Sequence, residues 1–270
     1  MPMNTSTASD RPGSHPQDKK EGSLTILLED ITVAFQRIVN RPGSMKEYVI
    51  RRIKGEIKAK DLKALNRVSL AVRRGEVFGV IGRNGAGKTT MLRVMSRILR
   101  PTQGRLRIWG ETTPLMGVGA GFNPELTGRE NAFIYSSILG RRQVRTYELM
   151  DEIIDFSELG GFIDAPLRTY SSGMVARLGF AVAMAERPEI LLLDEVLAVG
   201  DEPFREKCSK RFRSFCEAGT TVVMVSHSMG SILDLCNRAV WLHRGRVRAI
   251  GDPQETVQAF RNFKQKGRLG

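Results

Sequence analysis

Gly82-Arg83-Asn84-Gly85-Ala86-Gly87-Lys88-Thr89 follows the apolar run Val77-Phe78-Gly79-Val80-Ile81 without a break. No other stretch restricts the fold as much, because a strand that ends in a glycine-rich turn and opens a helix belongs to a layered α/β architecture. Such a turn aims backbone N–H groups and the positive helix end at one point, where a phosphate chain can sit. Lys88 then supplies a point charge for β- and γ-phosphates, and Thr89 a hydroxyl for Mg²⁺. Gly82, Gly85 and Gly87 permit positive φ and close backbone approach. The pattern predicts a nucleoside triphosphate site drawing on Gly82, Asn84, Gly85, Gly87, Lys88, Thr89 and Thr90. Taken alone, a glycine-rich turn that merely precedes a lysine is the competing reading.

At 270 residues with a hydrophobic fraction of 41% the chain can bury one substantial core. No apolar run approaches the roughly 18 to 20 residues that span a bilayer, and Met1 to Ser23 lacks the hydrophobic stretch of a signal peptide. The expectation is a protein that stays in the cytoplasm. Cys208, Cys216 and Cys236 show neither CxxC spacing nor a neighbouring His pair, which predicts reduced, structural thiols. A formal charge of +13 admits nucleic acid, an anionic membrane surface or an anionic substrate as partner, and equally a solvated Arg-rich surface.

Residues 1–23 are rich in Ser, Thr, Pro, Asp and Lys without hydrophobic periodicity and read as a disordered tail. Leu24 to Leu28, Ile31 to Phe35 and Val68 to Val72 are β-like in composition. Between them lies an insert, 36–63, in which Met45, Tyr48, Val49, Ile53 and Ile57 recur at helical spacing beside Lys46, Arg51, Arg52, Lys54 and Lys58. This basic amphipathic helix fits a surface helix packed on its own domain, a membrane-surface element or a contact with a partner subunit. A helix is predicted from Thr89 to Leu99, then a short strand from Arg105 to Gly110. Thr127 and Glu130 are spaced as a capping box at the start of a helical subdomain, 127–170. Strand and helix then alternate to Ala249, as in a doubly wound parallel sheet. A nucleotide-binding domain over 24–255, followed by a C-terminal helix and tail over 256–270, accounts for the rest.

Ile190-Leu191-Leu192-Leu193-Asp194-Glu195 describes a buried strand that delivers two carboxylates to its C-terminal tip, where open α/β sheets bind ligands. Asp194 suits Mg²⁺ held through waters, and Glu195 suits the polarising of an attacking water. A core strand ending in a helix cap is the plainer alternative. Val222-Val223-Met224-Val225-Ser226-His227 is a second such strand ending in a histidine, a residue type that is often structural. Tyr170-Ser171-Ser172-Gly173-Met174 places small polar residues at a helix start, an anion site or an ordinary N-cap.

The ordered set of motifs resembles the ATP-binding subunit of an ABC transporter over residues 24 to about 255. The resemblance rests on Lys88 and Thr89 in the phosphate loop, Asp194 and Glu195 on the carboxylate strand, and Ser171 and Gly173 in the family-defining sequence. Ala198-Val199-Gly200-Asp201 follows the catalytic glutamate, and His227 matches the switch histidine. It implies a P-loop ATPase fold with a mixed, largely parallel core sheet, an antiparallel β subdomain and a helical subdomain. It also implies Mg²⁺ and ATP, with Lys88, Glu195 and His227 catalytic, Thr89 and Asp194 on the metal, and Phe35 stacking adenine. Two subunits are expected head to tail, each nucleotide lying between one phosphate loop and the opposite Ser171, Ser172 and Gly173, so that a monomer hydrolyses poorly.

Tyr170-Ser171-Ser172-Gly173-Met174, the run Gly119 to Asn131 and the run Glu195 to Asp201 are similar to exporters of O-antigen, capsule, teichoic acid and galactan. That similarity implies a peripheral subunit on the cytoplasmic face of the inner membrane, two copies of a separate permease and a lipid-linked polysaccharide cargo, with no nucleic acid. A drug, lipid or protein cargo, or a soluble nucleic-acid-acting ABC protein, are the rival readings. Around Val118 the chain lacks the family's usual glutamine, and Asn123 is the nearest amide. The chain stops soon after Phe263, so the glycan-gripping β-sandwich of some O-antigen exporters is expected to be absent.

Overall fold

The computed structural model describes residues 24–38, 59–194 and 200–266. An antiparallel sheet is built from β1 (Leu24–Ile38), β2 (Ala59–Arg73) and β4 (Gln103–Ile108), in the order β2-β1-β4. Leu24 to Phe35 forms one strand rather than two. Its buried apolar residues are Ile26 and Leu28, then Ile31 and Val33, so the parity facing the apolar core switches between residues 28 and 31. The ladder with β2 shifts register there, and Asp30 adopts φ 49°. The Ser69 hydroxyl holds this bulge, accepting from the Asp30 N–H at 2.9 Å and donating to its carboxylate at 3.2 Å. The extra residue turns both halves of the strand onto the same core.

The insert expected over 36–63 is shorter than its sequence boundaries, because residues 36–38 continue β1 and 59–63 already belong to β2. The amphipathic segment from Met45 to Lys58 and the tail 1–23 lie outside the described residues.

The second sheet runs β5-β6-β7-β3-β8-β9, with β3 (Val77–Ile81), β5 (Thr112–Leu115), β6 (Ile190–Asp194), β7 (Thr221–Val225), β8 (Arg238–His243) and β9 (Arg246–Gly251). Pairing is parallel throughout except for β8 and β9. The alternation of strand and helix expected up to Ala249 therefore ends in an antiparallel hairpin. Arg244 and Gly245 turn that hairpin with φ 49° and 72°, leaving no room for a crossover helix. β5 carried no signal in sequence. It is a four-residue edge strand containing Pro114, tolerated because an edge position can spare one ladder N–H.

Side-chain alternation splits the core in two. Phe78, Val80, Ile190, Leu192, Val223, Val225, Val240 and Leu242 face the antiparallel sheet and α1 (Lys88–Met95). Val77, Ile81, Leu191, Leu193, Val222 and Met224 face the opposite way, onto α5 (Ser172–Met184), α6 (Glu202–Glu217) and α8 (Pro253–Lys266). The uninterrupted apolar runs Ile190 to Leu193 in β6 and Val222 to Val225 in β7 are what burial on both faces requires. Helix α1 is shorter than the predicted Thr89–Leu99, ending at Met95 before Arg97 with φ 59°.

Between β5 and α5 lie α2 (Gly128–Ile138), α3 (Gln143–Glu148), α4 (Met150–Ser157) and two 3₁₀ turns, Gly160–Asp164 and Leu167–Thr169. The capping box expected at Thr127 and Glu130 is present, with the Thr127 hydroxyl accepting from Glu130 N–H and the Glu130 carboxylate accepting from Thr127 N–H. Helix α7 (Met229–Leu235) links β7 to β8. Burial pushes the Cys208 and Cys236 thiols up to about 12 and Cys216 up to about 11, in keeping with structural roles.

Three phenylalanines join α4, α5 and α6. Phe180 stacks on Phe156 at 6.1 Å between centroids and meets Phe204 edge-on at 6.2 Å. Because Phe180 is fully buried, Phe180→Ala is expected to lower stability by about 3–5 kcal/mol, read as a shift in urea midpoint at constant slope.

Candidate nucleotide site

The phosphate loop spans the end of β3 and the start of α1, where the sequence puts it. Gly87 is the N-cap of α1 with φ 105°, and a Cβ there would lie 2.5 Å from the Ala64 carbonyl oxygen. Both strain and collision therefore demand glycine. The loop is braced from outside. Gly245 N–H donates to the Ala86 carbonyl at 2.9 Å, and Asn66 N–H donates to the Gly245 carbonyl at 2.8 Å, so β2, the loop and the β8–β9 turn interlock.

Lys88 is only 7% exposed, and its ammonium donates to the Gly82 carbonyl at 3.0 Å and the Arg83 carbonyl at 3.4 Å. Those bonds place the ammonium inside the curl of the loop. Thr89 and Thr90 begin the helix beside it.

Parallel pairing brings the other motifs to the same edge. Asp194 on β6 and Val80 on β3 are both register partners of Val225 on β7. Strands about 4.8 Å apart put Asp194 and Val80 roughly 10 Å from one another. Beyond this row the chains emerge together: the phosphate loop follows β3, and the exposed His227 follows β7. Thr89 and Asp194 offer one hydroxyl and one carboxylate, a donor set suited to a Mg²⁺ that keeps several waters and takes phosphate oxygens. No group of three or more His, Cys, Asp or Glu forms a metal cage among the described residues. Glu195, with Val196 to Val199, lies outside them.

Phe35 stands opposite Leu62 in the β1–β2 ladder and is 44% exposed, an accessible ring on the strand pair that braces Gly87. Ser171 caps α5, its hydroxyl accepting from Met174 N–H at 3.2 Å. Ser172 and Gly173 form the first turn of that helix, on a different element from Lys88, Asp194 and His227. Among the described residues a Cβ on Gly173 would meet only the Ser171 hydroxyl, at 3.7 Å, so none of them requires glycine there. Val118 presses on α5, where a Cβ on Gly179 would lie 2.4 Å from its methyl. The Asn123 side-chain carbonyl accepts from Glu125 N–H at 3.1 Å, which commits the nearest amide to a local turn.

One participant was not legible in sequence. Arg177 on α5 reaches Glu158 and Asp201, residues far apart along the chain that only tertiary packing unites.

Comparison with known proteins agrees with this geometry. A family model described as ABC transporter matches residues 65–198. An O-antigen export system ATP-binding protein, RfbB, of Myxococcus xanthus is 42% identical over 246 residues, covering 89% of this chain and 56% of the relative. RfbB of Klebsiella pneumoniae is 43% identical over 205 residues, covering 76% of this chain and 83% of the relative. The teichoic acids export ATP-binding protein TagH of Listeria innocua is 39% identical, covering 87% and 71% respectively. This chain thus spans little more than half of the M. xanthus protein and most of the Klebsiella one. Among solved structures, an ATP binding subunit of an ABC transporter superposes with a TM-score of 0.67 at 19% identity, covering 87% of this chain and 93% of that one. A dimeric ATP-binding cassette bound to ADP and Pi gives 0.65 at 21% identity, covering 84% and 98%. The fold is that of the P-loop ABC ATPases, and the chain belongs to the ABC transporter family as an ATP-binding subunit.

Proposed function

We propose that this chain is the ATP-hydrolysing subunit of an exporter that moves a lipid-linked cell-surface polysaccharide, of the O-antigen or galactan type, across the cytoplasmic membrane. The observation that carries the reading is the single row through Asp194, Val225 and Val80, from which acid, histidine and phosphate loop all emerge at one sheet edge. The cargo assignment draws support from relatives named for O-antigen and teichoic acid export. No helix among the described residues is long and apolar enough to cross a membrane, which suits a subunit that works with two copies of a separate permease.

In this reading Lys88 exchanges its bonds to the Gly82 and Arg83 carbonyls for β- and γ-phosphate oxygens. The N–H groups of the loop from Gly82 through Gly87, with Asn84 and Gly85 at its crest, surround the phosphates, and Thr90 supports them from α1. Thr89 and Asp194 would hold Mg²⁺, which when bound would neutralise phosphate charge. Glu195 accepts a proton from the attacking water, and His227 contacts the γ-phosphate. Phe35 stacks on adenine. Ser171, Ser172 and Gly173 complete the site of a second copy, the open space at Gly173 being filled by that copy's nucleotide.

Glu195→Gln is the direct test, because the amide keeps the shape and loses the base. Hydrolysis should fall by about 10²–10⁴ while ATP binding persists and a dimer accumulates on gel filtration. Full turnover by that variant would remove Glu195 from the mechanism. Depleting the protein in its host should build up lipid-linked glycan on the inner leaflet. Accumulation of a different cargo would overturn the polysaccharide assignment.

A further inference from the structure

Positive charge is unevenly placed along the chain. Residues 59–110 hold twelve Lys and Arg against two acids, whereas residues 128–184, from α2 through α5, hold six against seven. The excess therefore sits on the antiparallel sheet and its surroundings, not on the helical subdomain. Within β4, Leu106 and Ile108 pack on the core, so strand alternation turns Arg105 and Arg107 to the outer face of the sheet. Trp109 continues that alternation, its N–H donating to the Thr25 carbonyl of β1 at 3.0 Å. Arg107 pairs with Glu29 at 3.7 Å. Among the described residues no acid pairs with Arg105, nor with Arg97 and Arg100 in the turn that enters β4, and all three are exposed.

Two apolar side chains flank these arginines. Ile98 before the strand is 65% exposed and Trp109 after it 40%. The strand between them is six residues long, about 20 Å, and lies at the edge of its sheet. Arginine on an open edge also deters pairing with another strand, but that purpose needs neither an exposed isoleucine nor an exposed indole. We infer that the β4 edge is a lipid-contact surface, on which Arg97, Arg100 and Arg105 meet anionic headgroups while Ile98 and Trp109 enter the boundary between headgroups and acyl chains. This extends the proposed function, and rests on it only for the protein's place beside the cytoplasmic leaflet. Single-stranded nucleic acid would call for a groove with several stacking rings, whereas this edge offers one ring and an aliphatic anchor. Arginines between apolar anchors match an anionic bilayer surface, which attracts the cations and accepts indole and aliphatic groups at headgroup depth.

The test is sedimentation of the full chain with vesicles of phosphatidylcholine alone, and of phosphatidylcholine and phosphatidylglycerol in equal parts. Only the anionic vesicles should carry the protein down, and less of it as salt is raised. Replacing Arg97, Arg100 and Arg105 together by Gln should lower partitioning about 100-fold, while replacing all three by Lys should change it less than about threefold, because headgroups read charge. Ile98→Ser should lower it about tenfold. Of the two tryptophans Trp241 is only 7% exposed, so a blue shift of emission on anionic vesicles reports Trp109 and should vanish in Trp109→Phe. ATP hydrolysis without vesicles should match the parent in every variant. Equal sedimentation with neutral vesicles, salt-independent binding or undiminished binding by the Gln variant would overturn the lipid assignment. Tighter binding of single-stranded DNA than of anionic vesicles at one ionic strength would overturn it too, making the arginines a nucleic-acid surface. Should the Gln variant aggregate, the Lys variant, the salt series and the Trp109 emission decide. Vesicle binding by a protein whose depletion spares glycan export would strike the proposed cargo alone, whereas absent vesicle binding beside normal ATP hydrolysis strikes only this surface.

Discussion

The Lys88→Ala protein is expected to hydrolyse ATP at least about 100-fold more slowly than the parent chain, a loss typical of removing one preorganised charge from a phosphate site. The lysine is buried, and its ammonium already points into the curl of the loop, bonded to the Gly82 and Arg83 carbonyls. In the proposed site, arriving phosphates would find the charge in place and need reorganise little. Alanine removes the charge without disturbing Gly87 or the brace from Gly245, because those contacts are made by backbone. Steady-state phosphate release should therefore collapse while the loop keeps its path. An arginine should not rescue, since a planar fork cannot replace a compact ammonium in so tight a curl. Hydrolysis within a few-fold of the parent would mean that the loop does not handle phosphate in the way its sequence suggests.

A second large effect is expected at Gly173. Aspartate there would stand in the first turn of α5, where the helix dipole favours a negative charge and the Ser171 cap is retained. Among the described residues only the Ser171 hydroxyl lies within van der Waals reach of it. The variant should consequently melt at or slightly above the parent temperature. On the proposed arrangement its ATP-driven dimerisation should nevertheless be lost, and with it at least about 100-fold in hydrolysis, because a carboxylate would face the partner's triphosphate. Opposite signs for stability and activity make this measurement decisive. A variant that both melts earlier and still dimerises on ATP would show that Gly173 serves its own helix.

Much of the local structure that presents the candidate site was readable as sequence because its parts are local. The phosphate loop needs only consecutive residues, and a strand buried on both faces declares itself through uninterrupted apolar runs such as Ile190 to Leu193 and Val222 to Val225. Capping at Thr127 was legible for the same reason, as donors and acceptors lie three residues apart. Errors arose where neighbours in space overruled the local pattern. The bulge at Asp30 made one strand look like two, since a parity switch resembles a break. Pro114 hid β5, whose edge position excuses the missing donor. The ends of the amphipathic insert were set outside the strands, although pairing of Gln36 with Asp61 and of Arg37 with Lys60 makes them strand.

Composition and short-range order by themselves determined that this chain would present a phosphate loop, two strand-borne polar tips and a capped helix start, because each is specified by residues in covalent succession. Only the tertiary structure decided that Asp194 and Val80 share a row across Val225, and that Arg177 meets Asp201 and Glu158. Strand order and helix packing bring together groups separated by long stretches of chain, and the energy that selects them comes from burying two apolar faces at once, which no local pattern encodes.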